Sequence, residues 1–489
     1  MMTLREHAAG EEGSRAFRQL LGLIAVLMCC SWGSAQQWVT VRQPFPGKAG
    51  LALLRTDGKV MVEETATGWW WLLVPDDTGS YTDGVWIASG LPLSNYDPTG
   101  FASAVLPDGR IIVEGGEHNF GQKVETTVGA IFDSTTGVWT EVPPPANWKR
   151  IGDAPSVVLP DRTFMMGAVL SRQQALLIDP IHFVWKATGT GKLDQNSEEG
   201  WTLLPNGKVL TIDLENGNAS ELYDPGTGKW TATGNLPFFI GNKCGKNIVA
   251  EIGPAVLRPN GTVFAVGANN KTAIYHPATE KWSAGPSFPD GFGSSDGPGA
   301  ILPNGNVLVK VSPCFAPPSI FFEFDGTKLN SVPSPPRALV EKSGEGHMLV
   351  LPNRGHILYT DGSSDVEVYV PNGSPNSAWL PTITSHPATV TRGHAYIVKG
   401  RRLNGMTQGA AFGDDAQMAT NYPLVRITNN ATGHVFYART KNFSTMGVAT
   451  GTAIVSATFI PPTGMETGAS KMVVVANGLA SAAVAITVQ

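Results

Sequence analysis

One short pattern recurs along this chain and restricts the folds open to it: an apolar strand, a turn with Asp or Asn, and a second apolar strand. The copy "AVLPDGRIIV" begins at Ala104 and "AILPNGNVLV" at Ala300. Asp-Gly and Asn-Gly favour tight hairpins because such turns need a positive φ. Seven copies occur, 44 to 54 residues apart, with their turn Asp or Asn at positions 57, 108, 161, 206, 260, 304 and 353. The chain is therefore predicted to be a repetitive all-β protein.

Most copies are followed by a second hairpin of one form, such as "LYDPGTGKW" ending at Trp230 and "IYHPATEKW" ending at Trp282. Two hairpins give four strands, and a period near 50 residues is typical of kelch-type β-propeller blades. The 56 glycines, 36 prolines and 15% charged residues also favour β structure. We predict a seven-bladed kelch β-propeller over residues 36–380, in which Trp38–Val41 supplies the outer strand of the last blade.

The period stops near residue 380, yet residues 381–489 still alternate apolar and polar positions in short runs such as "YPLVRIT" and "KMVVVANG". About 100 residues of short strands separated by turns are typical of a β-sandwich. We therefore predict a C-terminal immunoglobulin-like domain over residues 381–489.

Residues 1–35 have the features of an export signal. Arg15 and Arg18 precede an apolar core at Leu20–Cys30, and small residues at Gly33–Ala35 predict cleavage near Ala35. An uncleaved signal anchor, or a lipid anchor at one of the two cysteines of "MCC", remains an alternative. The expected location is secreted, periplasmic or extracellular, with no membrane association after cleavage. The net charge of −5 gives no reason to expect nucleic acid as a partner.

The signal, the propeller and the C-terminal domain together resemble the galactose oxidase and glyoxal oxidase family. The stretch "GDDAQMATNYPLVRITNNATGHVFYARTKNFSTMGVATG" (residues 413–451) is the most specific part of this resemblance. The resemblance implies copper-radical oxidation of alcohols or aldehydes at a cross-linked Cys–Tyr pair, a Tyr-His pair and a C-terminal His.

Counting from the hairpins, the family's copper-site positions carry other residues in this chain. Asp153 stands in place of the cross-linked Tyr, Gly344 and Glu345 in place of the Tyr-His pair, and Lys441 in place of the C-terminal His. The segment "YDPTGFASAV", where the Cys is expected, contains none. Soft and borderline metals prefer imidazole and thiolate ligands. We therefore predict a protein without copper-radical activity and expect no cofactor, copper included.

Five blades carry an acidic residue at one shared position, just before the first strand of the blade: Asp153, Glu198, Glu251, Asp296 and Glu345. Blades one and two have Ala49 and Gly100 there. The acids should form an arc at the channel mouth, where they would raise each other's pKa. Four arrangements remain open: Ca²⁺ at the acid ring, a cationic or polyhydroxylated ligand, capping of backbone N–H groups, or a basic side chain. The resemblance implies that the loop Arg439–Ser444 enters the channel, which predicts Lys441 beside Asp153 and Glu345.

Cys244 and Cys314 are the cysteines left after signal cleavage. In an oxidising compartment such a pair is a disulfide candidate. Cys244 lies between blades four and five, and Cys314 lies between the second and third strands of blade six. Both kinds of loop emerge on the same face of a propeller, so we predict a Cys244–Cys314 disulfide.

Two functions from different classes remain. The first is an exported propeller that binds carbohydrate or an extracellular protein, to which the exposed rings of a cluster such as "TGWWWLL" (Thr67–Leu73) would contribute. The second is an oxidoreductase or other enzyme of the galactose oxidase superfamily, acting on carbohydrate alcohols or aldehydes with altered active-site residues. Hydrolysis by paired carboxylates is one form of it.

Overall fold

The computed structural model describes residues 36–90, 93–245, 250–415 and 418–489. The predicted export signal lies outside these residues. Within them the secondary structure is β-strands and two 3₁₀ helices, Pro336–Val340 and Ser377–Trp379, with no α-helix. None of the helices in the described ranges is long and apolar enough to cross a membrane.

Strand β1 (Gln37–Thr40) is followed by a series of antiparallel sheets whose four strands are mostly consecutive in sequence. The first three such sheets consist of β2 (Ala49–Leu54), β3 (Val60–Glu64), β4 (Trp69–Val74) and β5 (Val85–Ala88); β7 (Ala102–Val105), β8 (Ile111–Glu114), β11 (Gly129–Asp133) and β12 (Val138–Val142); and β13 (Ser156–Val158), β14 (Phe164–Gly167), β15 (Gln174–Asp179) and β16 (Val184–Thr188). A small separate sheet beside the second one contains β6 (Pro98–Thr99), β9 (His118–Asn119) and β10 (Gln122–Lys123).

The later sheets follow the same order. They consist of β17 (Thr202–Leu203), β18 (Val209–Ile212), β19 (Ser220–Asp224) and β20 (Lys229–Ala232); β21 (Ile252–Leu257), β22 (Val263–Gly267), β23 (Thr272–His276) and β24 (Lys281–Ala284); β25 (Gly299–Ile301), β26 (Val307–Val311), β27 (Ile320–Phe324) and β28 (Leu329–Val332); and β29 (His347–Val350), β30 (Ile357–Thr360) and β31 (Glu367–Val370), to which β1 is added. Within the described ranges the four-stranded unit thus occurs seven times, at the positions of the seven sequence repeats.

The sheets are arranged around a channel. The first strands of neighbouring sheets pack on each other, as β7 does on β13 and β21 on β25, and β29 of the last sheet contacts β2 of the first. This ring is the arrangement of a β-propeller. β1 pairs antiparallel with β31, with Trp38 opposite Tyr369, so the N-terminal strand completes the last sheet as the sequence predicted.

The tryptophans of the repeats pack in the core. Trp230 is buried against Tyr223, with ring centroids 5.4 Å apart, and Trp282 packs on Tyr275 in the same way. In "TGWWWLL", Trp70 is buried and packs on Trp139 across the gap between the first two sheets. That ring is therefore core rather than an exposed binding surface.

The remaining strands are β32 (Thr382–Ser385), β33 (Thr389–Val390), β34 (Tyr396–Arg401), β35 (Ala410–Ala411), β36 (Leu424–Asn429), β37 (Val435–Lys441), β38 (Val455–Ile460), β39 (Gly468–Ala476), β40 (Leu479–Ala480) and β41 (Val484–Val488). All but β35 form one sheet, mostly antiparallel, with a parallel pairing of β33 to β41. The domain boundary predicted near residue 380 falls between β31 and β32.

β35 leaves its own domain and enters the propeller channel. It pairs antiparallel with β25, the first strand of the sixth sheet, with Ala411 opposite Gly299. Nearby, Gln408 accepts a hydrogen bond from the backbone N–H of Leu203 at 2.8 Å. The C-terminal domain thus contributes a segment to the interior of the ring. We refer to residues 403–422 as the channel segment.

Candidate functional site

The acidic positions of the repeat lie at one end of the channel because each precedes the first strand of its sheet. Asp153 precedes β13, Glu198 precedes β17 and Asp296 precedes β25, while Glu251 directly precedes β21. The structure brings these four predicted residues together. Carboxylate oxygens of Glu198, Glu251 and Asp296 lie within 4.8 Å of one another.

The channel segment adds two acids that the sequence analysis did not predict, Asp414 and Asp415. In the antiparallel pairing of β35 with β25, Asp414 is three residues beyond Ala411 and Asp296 is three residues before Gly299. Opposed strands therefore deliver both acids to the same end of the channel. Oxygens of Asp153, Glu198 and Asp414 lie within 4.8 Å of one another.

Two glycines allow the channel segment to approach this closely. A Cβ on Gly413 would lie 2.9 Å from the Asp296 Cα, and a Cβ on Gly200 would lie 2.5 Å from the Gly413 carbonyl oxygen. Backbone therefore packs on backbone where the segment passes the acidic loops. The sequence signal for this arrangement was the run "GDD" at residues 413–415, which lay inside the stretch that carried the family resemblance.

The acidic cluster, defined here as Asp153, Glu198, Glu251, Asp296, Asp414 and Asp415, carries a strong excess of negative charge. Burial raises the pKa of Asp153, Asp296 and Asp414 well above the usual range, and neighbouring carboxylates raise it further. Burial and the same crowding, with Asp296 as the largest charge, raise the pKa of Glu198. In the described part of the chain, no Lys, Arg or His forms an ion pair with any of these four groups.

Lys441 does not occupy the place expected for it. It ends β37 opposite Thr458, and its Cβ lies close to Gly109 in the Asp-Gly turn of the second sheet. That turn is at the far end of the first strands from Asp153 and Glu345. The prediction that Lys441 neutralises the acids is therefore wrong, because the chain enters the channel through the channel segment and not through Arg439–Ser444.

Glu345 lies at the rim of the cluster and not within it. Its exposed side chain accepts a hydrogen bond from the Lys342 backbone N–H at 3.2 Å. Its backbone carbonyl accepts a hydrogen bond from the Lys310 ammonium, which is itself buried and 2.9 Å from the Glu341 carboxylate. Glu345 thus faces the cleft described next without joining the carboxylates of the cluster.

A cleft of about 280 Å³ opens beside the cluster. Its titratable lining residues are seven carboxylates and one imidazole: Glu117, Asp153, Asp296, Glu345, His347, Asp361, Asp414 and Asp415. Ala49 and Gly100, the residues of blades one and two at the acidic position, also line it. A side chain at Gly100 would lie 3.1 Å from the Asp415 carboxylate, so the channel segment completes the arc where the repeat lacks an acid.

His347 is the second cleft residue that the sequence analysis missed, although it lies in the quoted run "GEGHM". Its ring stacks on Phe412 of the channel segment at 4.9 Å, and its Nδ1 has no hydrogen-bond partner within the described residues. Burial, reinforced by the Lys310 ammonium, lowers the pKa of His347 to about 4. The imidazole is therefore neutral at pH 7.

The structure joins the sulfur atoms of Cys244 and Cys314, with the Cα atoms 5.7 Å apart. The bond lies close to the acidic cluster, since the Cys244 sulfur is 3.2 Å from the hydroxyl of Ser295, the neighbour of Asp296. It connects the loop before β21 to the loop after β26.

No protein-family model matches this chain, and no curated protein sequence matches it. Among solved structures, it is similar to a fungal alcohol oxidase of the AA5 family in complex with copper, with a TM-score of 0.52, 15% identity, and coverage of 93% of this chain and 100% of that one. A streptogramin B lyase (13% identity) and an inactive virginiamycin B lyase from Staphylococcus aureus with quinupristin (10% identity) each match 69% of this chain, and 97% and 99% of their own, at a TM-score of 0.48. The lyases, at that score, carry no weight here. The oxidase match shows the fold alone, which is a galactose-oxidase-like β-propeller fold.

Proposed function

We propose that this chain is an exported, seven-bladed kelch-type propeller with a C-terminal immunoglobulin-like domain, which binds a carbohydrate in the cleft at the channel mouth and has no copper-radical activity. The observation that supports a polyhydroxylated ligand is the cleft lining. Seven carboxylates surround a volume of about 280 Å³, and carboxylates accept strong hydrogen bonds from hydroxyl groups. Sugars present many hydroxyls from one small body, so they match this density of acceptors.

The donor set of the cleft does not fit a copper-radical centre. Among the described residues, its lining offers one imidazole and carboxylate oxygens, and neither a Cys nor a Tyr. Copper sites in proteins favour imidazole and sulfur ligands. The nearest phenol, Tyr359, is buried and donates its hydroxyl to Glu341 at 2.5 Å. We therefore derive no step of this protein's function through copper.

A glycan-array screen followed by calorimetry with the best oligosaccharide tests this proposal. Glu345→Gln should weaken binding by about tenfold if Glu345 accepts a hydrogen bond from a sugar hydroxyl, because that loss is worth about 1.5 kcal/mol. Glu215→Gln, on an exposed side chain away from the cleft, is the matched control. Absence of binding to every glycan, or peroxide release from alcohols or aldehydes after Cu²⁺ loading, would refute the proposal.

An enzymatic role is the second candidate, and the contrast between His347 and the acids favours it. A neutral imidazole with a pKa of about 4 faces carboxyls whose pKa is raised, and groups displaced in this way can serve as a base and an acid in one site. Product analysis after incubation with carbohydrate alcohols, aldehydes and glycosides distinguishes turnover from binding. Turnover lost in His347→Ala with binding retained would establish it.

A further inference from the structure

Three carboxylates of the acidic cluster meet where a single ion could touch all of them. Asp153 comes from the third sheet, Glu198 from the fourth, and Asp414 from the channel segment, and one oxygen from each lies within 4.8 Å of the others. Calcium–oxygen distances are about 2.3–2.6 Å, so ligands on opposite sides of one ion are separated by up to about 5 Å. The three oxygens therefore have the spacing of ligands around one ion of this size.

A second observation points to a missing partner. Asp414 is 3% exposed, and its Oδ2 has no hydrogen-bond partner among the described residues. The Oδ1 of Asp153 is likewise buried and unpartnered. A buried carboxylate oxygen without a partner is costly, and these oxygens belong to residues whose carboxylates converge on the same point.

The same molecule shows what the chain does when it neutralises such a group itself. Asp194, Glu199 and Asp213 also place oxygens within 4.8 Å of one another. There the buried Lys192 ammonium lies 2.8 Å from Glu199, and 3.7 Å and 3.6 Å from the other two acids. The group at Asp153, Glu198 and Asp414 has the same spacing and no ammonium of its own.

We propose that Asp153, Glu198 and Asp414 bind a hard divalent cation of the Ca²⁺ class at the mouth of the channel. The donors are all carboxylate oxygens, which suit Ca²⁺, Mg²⁺ or Mn²⁺ rather than softer metals. Asp153 and Asp414 also line the cleft, so water or ligand hydroxyls can fill the remaining positions around the ion. The ion links two sheets of the ring to the channel segment. This site goes beyond the proposed carbohydrate binding and does not depend on it.

Calorimetry and thermal unfolding of the EDTA-stripped full-length protein test the site with CaCl₂ as the probe. Ca²⁺ should bind the parent and raise its Tm. Asp414→Asn should weaken Ca²⁺ binding by about tenfold or more, since one charged ligand is lost, while the exposed control Asp77→Asn should match the parent. Titrations with Mg²⁺, Mn²⁺, Zn²⁺ and Cu²⁺ rank the metals, and oxygen donors predict that Cu²⁺ gains nothing from the intact triad over Asp414→Asn.

Glu198→Gln gives a second variant in case Asp414→Asn does not fold, and its Ca²⁺ affinity should fall in the same way. No Ca²⁺ binding by the parent, or equal binding by the parent and both cluster variants, would overturn the proposal. Glycan binding that fails while Ca²⁺ binding persists would refute the proposed function and leave the cation site standing, and the reverse result would do the opposite.

Discussion

Single acidic residues in this protein differ mainly in whether the fold provides them with an opposite charge. Glu199 and Glu221 have the Lys192 ammonium at hydrogen-bonding distance. Glu367 does not: it is buried in β31 between Thr40 and Tyr359 of the flanking strands, and its Oε2 has no partner among the described residues. Burial, together with Asp361, Glu341 and Asp365, raises its pKa from 4.5 to about 8, against a smaller opposing effect of Arg337.

The raised pKa of Glu367 makes a prediction about stability and pH. Below pH 4.5 the group is protonated in the folded and unfolded states and has no effect. As the pH rises from 4.5 to about 8, the unfolded state ionises first, so stability is lost over this window. Glu367→Gln should remove this loss. The variant should therefore unfold at a higher urea concentration than the parent at pH 8, and at a similar one at pH 4.

Glu215→Gln is the control for that measurement, because Glu215 is exposed and the substitution removes one titrating group of the same type. If the midpoint difference between Glu367→Gln and the parent were the same at both pH values, burial of Glu367 would not be the cause.

At the scale of the element, the acidic cluster depends on loops held from several directions. The loop before β21 is fixed by a two-way backbone hydrogen bond between Asn242 and Glu251. The loop before β25 is fixed by Ser343, whose hydroxyl donates to the Ser295 carbonyl and accepts from the Ser295 N–H. The Cys244–Cys314 bond ties the first of these loops to the sixth sheet.

Opening this disulfide should destabilise the protein. The bond joins residues 70 positions apart, and closing a loop of that length stabilises the folded state by about 4 kcal/mol in the chain-entropy account. Urea unfolding of the parent with and without reductant should show a loss of this order. The Cys244→Ser/Cys314→Ser double variant should start at the lower stability and not respond to reductant. A parent equally stable in both conditions would contradict the prediction.

At the scale of the whole molecule, the channel segment unites the two predicted domains. Tyr422 donates its hydroxyl to the Leu54 carbonyl of the first sheet. Tyr422 and Met446 also face the first strands of the second and third sheets around a small internal gap lined by Ala104 and Val157. The C-terminal domain therefore fills the apolar interior of the ring as well as supplying Asp414 and Asp415.

A chain limited to residues 36–380 should accordingly fail to fold as a stable ring. Without the channel segment, the apolar residues of the first strands would face an open channel, which removes their burial. Circular dichroism melting and limited proteolysis of this fragment, beside residues 36–489, would test the expectation. A cooperative unfolding transition at the temperature of the longer chain would disprove it.

The sequence by itself determined the repeating unit, because a hairpin is local: the turn residues, the alternating apolar positions and the spacing lie within a few dozen residues of one another. The same local register placed Asp153, Glu198, Glu251 and Asp296 at equivalent positions, and equivalent positions in a ring meet at one end. Only the tertiary structure decided what enters the ring. Lys441 and Asp414 are far in sequence from the acids they were or were not to meet, and neither belongs to the repeat. The pairing of β35 with β25 and the close contacts at Gly200 and Gly413 are long-range events, and they set an acid where the local pattern alone predicted a lysine.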